Sequence, residues 1–363
     1  MAKKDTRNRY SVLVTGGAGF LGQHIVAMLQ TRADHVTEIR VLDMVPYTNQ
    51  LPDYETRNPV KDFVGSINDV DLVDKACRNV NCVMHVASIV DNTLIPDMAL
   101  SYRINVEGTV NVIEACKKNG VKRLIYCSSV DVVYGKGMIT RDGREEDLVY
   151  PDKYLFHTYA TTKMQAEKLV LEANSTGLST VSLRPSILYG ELEWRVYGVL
   201  CSNILATKFR KYVPLDSRQG LAEHVYVGNV AWGFVCADNK LRDINTTSDA
   251  SGRCYFLADD SPRKSIYEFM QPIMKEIGMK PYSWSIPVPL ILCILYVIYF
   301  ILTVIRPFYR VNFPYGMAAF KALNRTATYS YNRARDELDY TPLFTYDEAK
   351  KKTAKFFREK YFK

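Results

Sequence analysis

No Cys-x-x-Cys pair occurs in this chain, although it holds eight cysteines, at positions 77, 82, 116, 127, 201, 236, 254 and 293. Their scatter argues for reduced thiols in a cytosol-like compartment, and against a disulfide framework or a structural zinc. Histidine is scarce, with 5 in 363 residues. No His/Cys/Asp group has metal-ligand spacing, so no metal is expected. The first ten residues, MAKKDTRNRY, hold no apolar stretch of the kind a secretory signal needs. The Asn-x-Ser/Thr sequons at Asn174, Asn245 and Asn324 are therefore read as chance. Internal repeats and low-complexity segments are missing too.

What is present reads as a folded chain: 47% apolar and 24% charged residues, long enough for one large α/β domain or two lobes. The net charge of +8 is uneven, because residues 306–363 carry 13 Lys and Arg against 6 Asp and Glu. A solvated basic tail explains this, as does attraction to an anionic membrane surface. Nucleic acid is not expected as a partner, since no basic stripe accompanies a recognisable binding module.

Residues 10–130 alternate short β-branched runs (YSVLVT, IRVLD, KDFVG, CVMHVA, KRLIYCSS) with helical patterns near 20–31, 68–77 and 98–119. Strands separated by helices predict βαβ crossovers and a parallel sheet. A helix near 157–174 and a strand TVSLRPS continue the pattern, which loosens after Pro185. The expectation is an α/β fold of Rossmann type: a doubly wound parallel sheet over 1–185, then a smaller substrate lobe over 186–363, with 221–238 returning to the first domain.

The first strand runs into Thr15-Gly16-Gly17-Ala18-Gly19-Phe20-Leu21-Gly22 and then a helix. Glycines let the backbone turn sharply and approach a pyrophosphate, which the free N–H groups of the helix stabilise. Asp43 ends the second strand, where a carboxylate accepts from a ribose 2′-OH and repels a 2′-phosphate. The cofactor expected is NAD, held by Gly16, Gly17, Gly19, Phe20, Leu21, Gly22 and Asp43.

Tyr159 and Lys163 stand four apart, on one face of the expected helix. So do Tyr346 and Lys350, and chance alone supplies such pairs in a chain with 25 tyrosines. Context separates the two. Upstream of Tyr159, YCSSVDVVYG ends a strand with hydroxyls at Ser128 and Ser129, near the carboxyl edge where ligands sit in such sheets. A Lys ammonium beside the phenol would lower its pKa and make Tyr159 a general base for an alcohol proton. Tyr346 has no such setting and reads as solvated surface.

These motifs together resemble the extended short-chain dehydrogenase/reductase family, with Asn105 matching its structural Asn and SLRPSILYGE and EHVYVGNVA its later motifs. The carboxyl-terminal YSYNRARDELDYTPLFTYDEAKKKTAKFF, and the Pro-led apolar segment before it, are similar to those of animal 3β-hydroxysteroid dehydrogenase/Δ5–Δ4 isomerases. The resemblance covers essentially the whole chain. It implies Tyr159 as base, Lys163 on the nicotinamide ribose, and Ser129 as donor to the substrate hydroxyl, with Ser128 as fallback. Gly65-Ser66-Ile67 departs from the family's Gly-Asp-Ile/Leu, and so leaves adenine anchoring open.

The implied activity is oxidation of a 3β-hydroxy-Δ5-steroid by NAD, followed by Δ5 to Δ4 isomerisation. The rivals are a decarboxylating sterol-4α-carboxylate 3-dehydrogenase and a non-catalytic NAD-binding scaffold. Isomerisation needs a second acid/base, for which the resemblance points to Asp259 and Asp260; an Asp-Ser-Pro helix cap explains the same residues. His85 and His157 are the other tempting residues; His85 ends an apolar strand and reads as a packed, hydrogen-bonded histidine rather than a proton donor.

Pro289–Ile305 contains no charge and only Thr303 as a conventional polar residue. Such a run is apolar all round, as lipid-facing helices are, and just short of a full bilayer crossing. The expectation is a membrane segment over 287–305 that embeds without crossing, both flanks cytosolic, on the endoplasmic reticulum or a mitochondrial membrane. A homodimer is left open.

Overall fold

The computed structural model describes residues 10–362 apart from 53, 203–207, 217–219, 244–246, 310 and 312. Seven parallel strands form its central sheet: β1 (Ser11–Thr15), β2 (Glu38–Asp43), β3 (Val60–Val64), β4 (Cys82–His85), β5 (Arg123–Cys127), β6 (Ser179–Pro185) and β7 (Arg253–Leu257). Their spatial order is β3-β2-β1-β4-β5-β6-β7. The order reverses between β1 and β4, which opens a crevice at the carboxyl ends of those strands. β1 and β4 are buried along their whole length, as strands covered by helices on both faces must be.

Helices α1 (Phe20–Arg32), α2 (Val70–Cys77), α3 (Met98–Tyr102), α4 (Gly108–Lys118) and α5 (His157–Glu172) supply the crossovers. The helix expected over 98–119 is interrupted by a π-turn at Arg103–Glu107. Asn105 lies in that turn. Its amide accepts from the Ile89 N–H at 2.8 Å and donates to the Ile89 carbonyl and to Thr162 Oγ1, each at 3.0 Å. The extra residue per turn lets one side chain tie the loop after β4 to α5.

The sheet draws chain from beyond Pro185, since β7 pairs with β6. Helix Val227–Arg242 packs against α1 and β5, where its buried Asp238 accepts from the Tyr10 hydroxyl at 2.6 Å and from Arg123 Nε at 3.2 Å. Strand Ala327–Tyr329 runs parallel to Thr140–Gly143, and helix Tyr346–Tyr361 lies on helix Ile266–Ile277. Helix Val288–Ile305 has a mean hydropathy of 2.8 and is only 11% buried, long and apolar enough to cross a membrane.

Candidate active site

The glycine loop is built so that side chains do not fit. Gly16 has φ +72°, and a Cβ there would meet the Ala87 backbone N at 2.8 Å. A Cβ on Gly17 would lie 2.8 Å from both γ-carbons of Val41, and one on Gly22 would collide with the Gly16 carbonyl. Helix α1 starts at this loop with Gly19 as its cap, no side-chain cap bond and no acidic residue in its first turn. That leaves backbone N–H groups and the positive end of the helix facing the crevice, a setting that suits a pyrophosphate. Asp43 reaches into the same loop and accepts from the Ala18 N–H through Oδ2 at 3.0 Å. The cradle therefore fits a dinucleotide whose ribose meets a carboxylate. The Ser66 hydroxyl accepts from the Asn68 N–H at 3.1 Å.

Tyr159 and Lys163 sit one turn apart on α5, and Ser129 opens a short 3-10 turn, Val130–Val132, just beyond β5. Ser129 Oγ accepts from the Asp131 N–H at 3.1 Å and its hydroxyl acts to lower the pKa of the Tyr159 phenol, whereas Ser128 Oγ is buried with no hydrogen-bond partner among the described residues. The two serines that the sequence left as alternatives thus differ in their surroundings. Glu167, one turn beyond Lys163, forms a buried pair with Arg184 on β6 at 2.6 Å and accepts from Ser182 at 2.7 Å. This pair fixes the rotation of α5, and with it the direction of Tyr159.

The electrostatics differ from expectation. The phenol is pushed above its ordinary value, first by burial and then by the carboxylate of Asp131 and by Cys127; Arg195 and Ser129 oppose the rise. Lys163 is not among the groups acting on it. The ammonium donates to the Cys127 carbonyl and lies 4.3 Å from the Tyr126 ring centroid, and burial brings it down to about 8. His85 is fully buried between Thr15 Oγ1 at 2.7 Å and Thr109 Oγ1 at 2.9 Å, and burial lowers it to about 3. It is a packed neutral imidazole.

Asp259 and Asp260 follow the carboxyl end of β7. Asp259 is 6% exposed and accepts three hydrogen bonds: from Tyr226 N–H at 2.9 Å, Asn229 Nδ2 at 2.7 Å and Ser261 N–H at 2.9 Å. It secures the start of helix Val227–Arg242. The cap expected from Asp-Ser-Pro is absent, because helix Ile266–Ile277 is capped by Ser265, whose hydroxyl accepts from Glu268 N–H. Asp260 is exposed and accepts from the Tyr331 hydroxyl at 2.9 Å. Among the described residues no group of three or more His, Cys, Asp or Glu could hold a metal.

Three residues escaped the sequence reading: Asp131, Arg195 and Arg325. Asp131 had a local signal, since a Ser followed two residues later by Asp favours a side-chain turn. Arg195 and Arg325 had none.

Residues 13–288 match the 3-beta hydroxysteroid dehydrogenase/isomerase family model. Among solved structures, the Thermotoga maritima UDP-glucose 4-epimerase with UDP-glucose aligns at TM-score 0.70 and 19% identity, covering 96% of this chain and 99% of that one. The Thermus thermophilus UDP-glucose 4-epimerase complex with NAD aligns at 0.68 and 23%, covering 96% and 99%. The dTDP-glucose 4,6-dehydratase of Bacillus anthracis in complex with NAD aligns at 0.67 and 18%, covering 96% and 97%. These likenesses carry the fold. With a Rossmann sheet, a glycine cradle and a Ser129–Tyr159–Lys163 arrangement at its carboxyl edge, the chain belongs to the 3-beta hydroxysteroid dehydrogenase/isomerase family.

Proposed function

We propose that the chain is an NAD-dependent 3β-hydroxysteroid dehydrogenase on the cytosolic face of the endoplasmic reticulum membrane. It oxidises a 3β-hydroxy-Δ5-steroid to the 3-ketone and then moves the double bond from Δ5 to Δ4. The observation that carries this reading is the conjunction of an alcohol-oxidising centre with an exposed apolar helix in one folded body. Family membership supports it. Gly16, Gly17, Gly19, Phe20, Leu21, Gly22, Asp43, Tyr159 and Lys163 would hold NAD, which when bound supplies the hydride acceptor. Ser129 holds the substrate hydroxyl and Tyr159 takes its proton. Because burial and Asp131 favour the neutral phenol, oxidation should speed up as pH rises.

Backbone bonds on either side of the apolar helix support in-plane embedding. Before the helix, Ile286 N–H donates to the Pro214 carbonyl at 3.0 Å; after it, Leu94 N–H donates to the Phe313 carbonyl at 3.0 Å. Both flanks are thus tied to one body, whereas a perpendicular 18-residue helix would set its ends about 27 Å apart across the bilayer. Val288, Ile291, Leu292, Leu295, Ile298 and Leu302 form the better-buried stripe, leaving Leu290, Val297, Phe300 and Val304 outward for lipid.

A decarboxylating sterol-4α-carboxylate 3-dehydrogenase is the second reading. Arg195 beside Tyr159 favours it, as a guanidinium suited to a carboxylate next to C3, and so does the saturation of Asp259 by three donors. The test incubates purified protein and NAD separately with 3β-hydroxy-Δ5-steroids, 4α-carboxysterols and UDP-sugars, and identifies products by mass spectrometry. A Δ4-3-ketone supports the first reading and loss of carbon dioxide the second. Turnover of UDP-sugars alone would overturn both.

A further inference from the structure

Ser129 and Tyr159 share a neighbour that belongs to neither the glycine loop nor the Tyr159/Lys163 pair. Asp131 donates its backbone N–H to Ser129 Oγ at 3.1 Å, and the Ser129 hydroxyl approaches Asp131 Oδ2 at 3.3 Å. The other carboxylate oxygen accepts from Arg325 Nη1 at 2.7 Å. The two side chains are 18% and 6% exposed, so the pair is shielded from water and from salt.

Arg325 is 194 residues from Asp131 in the chain, and backbone contacts define its place. It follows helix Met317–Ala322, with its N–H bonded to the Ala322 carbonyl at 3.0 Å. Thr140 N–H donates to the Thr326 carbonyl at 3.0 Å, and Ala327 N–H to the Leu221 carbonyl at 2.8 Å. The guanidinium lies 4.9 Å from the Tyr134 ring centroid, while its Nε has no hydrogen-bond partner among the described residues. A buried cation held this firmly, with one donor left over, does more than close a gap.

We propose that Arg325 is a positioning residue for the catalytic centre: it holds Asp131 against Ser129, and with Asp131 it sets the charge balance felt by the Tyr159 phenol. The proposal rests on the reading of Tyr159 as the acid–base group. Around the phenol stand Asp131, Cys127, Arg195, Ser129 and Tyr126; around Arg325 stand Asp131, Tyr134, Tyr329 and His224. Asp131 is the anion nearest in effect, and Arg325 is its counter-charge. Without the guanidinium, the unpaired carboxylate makes the phenolate harder to form. Without the carboxylate, the phenolate forms more easily.

The test is the pH dependence of kcat for oxidation of a 3β-hydroxy-Δ5-steroid by the full-length protein with NAD, in detergent. Arg325→Met should move the rising limb alkaline by about one pH unit. Asp131→Asn should move it acid by a similar amount, and Arg325→Lys should return it most of the way. The double variant Asp131→Asn/Arg325→Met should lie near the wild type. NAD affinity should stay constant throughout. If Arg325→Met does not fold, Asp131→Asn and Arg325→Lys carry the test. An unmoved limb in folded variants would overturn the proposal, provided Tyr159→Phe is inactive; an active Tyr159→Phe would instead overturn the reading beneath it.

Discussion

Strand β1 and helix Val288–Ile305 are both rich in apolar side chains, yet Val12, Leu13 and Val14 are sealed at 0% exposure and Phe300 keeps 69% of its surface open. In β1 the sheet has helices on both faces, so every side chain finds a protein partner. The helix offers the protein one stripe and leaves the rest unpartnered. Apolar composition expresses a demand for burial and does not name the partner. For β1 the partner is the rest of the fold; for the helix, we propose, it is lipid, at roughly 1.5–3 kcal/mol for each large side chain fully buried.

The largest effect should come from asking whether the chemistry stays with the sheet. Tyr159→Phe should reduce turnover by roughly 10²–10⁴-fold with NAD still bound, measured by steady-state kinetics and cofactor titration. By contrast, changing Leu290, Val297, Phe300 and Val304 together to Ser should leave kcat in detergent within about twofold, because these side chains pack on little protein. The same quadruple variant should leave the microsomal pellet for the carbonate-soluble fraction; if it stays in the pellet, the helix is not the anchor.

The comparison also predicts unequal stability costs for similar truncations. Leu13→Ala should lower unfolding free energy by about 2–5 kcal/mol and Phe300→Ala in detergent by no more than about 0.5 kcal/mol, both read from denaturant titration. Equal losses would mean that the helix is core. Topology sharpens the point: tags at both termini should be equally exposed to protease in intact microsomes. A protected carboxyl-terminal tag would mean a full crossing. The smallest effect belongs to Asp43→Ala, which should erode preference for NAD over NADP while leaving kcat with NAD nearly unchanged, although the Ala18 N–H loses its acceptor.

Much of the site was legible because its signals are local. Glycines 16, 17 and 22 stand where a Cβ would clash, and Tyr159 and Lys163 are one helical turn apart. Asn105 matched a family position, but the π-turn that lets it reach Ile89 and Thr162 was not visible in a helical pattern. The Asp259/Asp260 pair looked like chemistry or a cap. Asp259 secures the start of a helix that begins more than thirty residues earlier, and Ser265 caps the helix that follows. Local sequence cannot report a hydrogen bond of that span.

Residue order alone determined the alternation of strand and helix, the glycine cradle, the carboxylate at the end of β2 and the existence of a lipid-grade apolar run. Each depends on neighbours within a few turns, where backbone sterics and side-chain periodicity act directly. Only the tertiary structure decided how the surroundings of Ser128 and Ser129 differ, that Asp131 pairs with Arg325, and that both flanks of the apolar helix are tied to one body. Those outcomes depend on segments brought together from up to 194 residues apart, as Asp131 and Arg325 are, and burial then sets the strength of every charge between them.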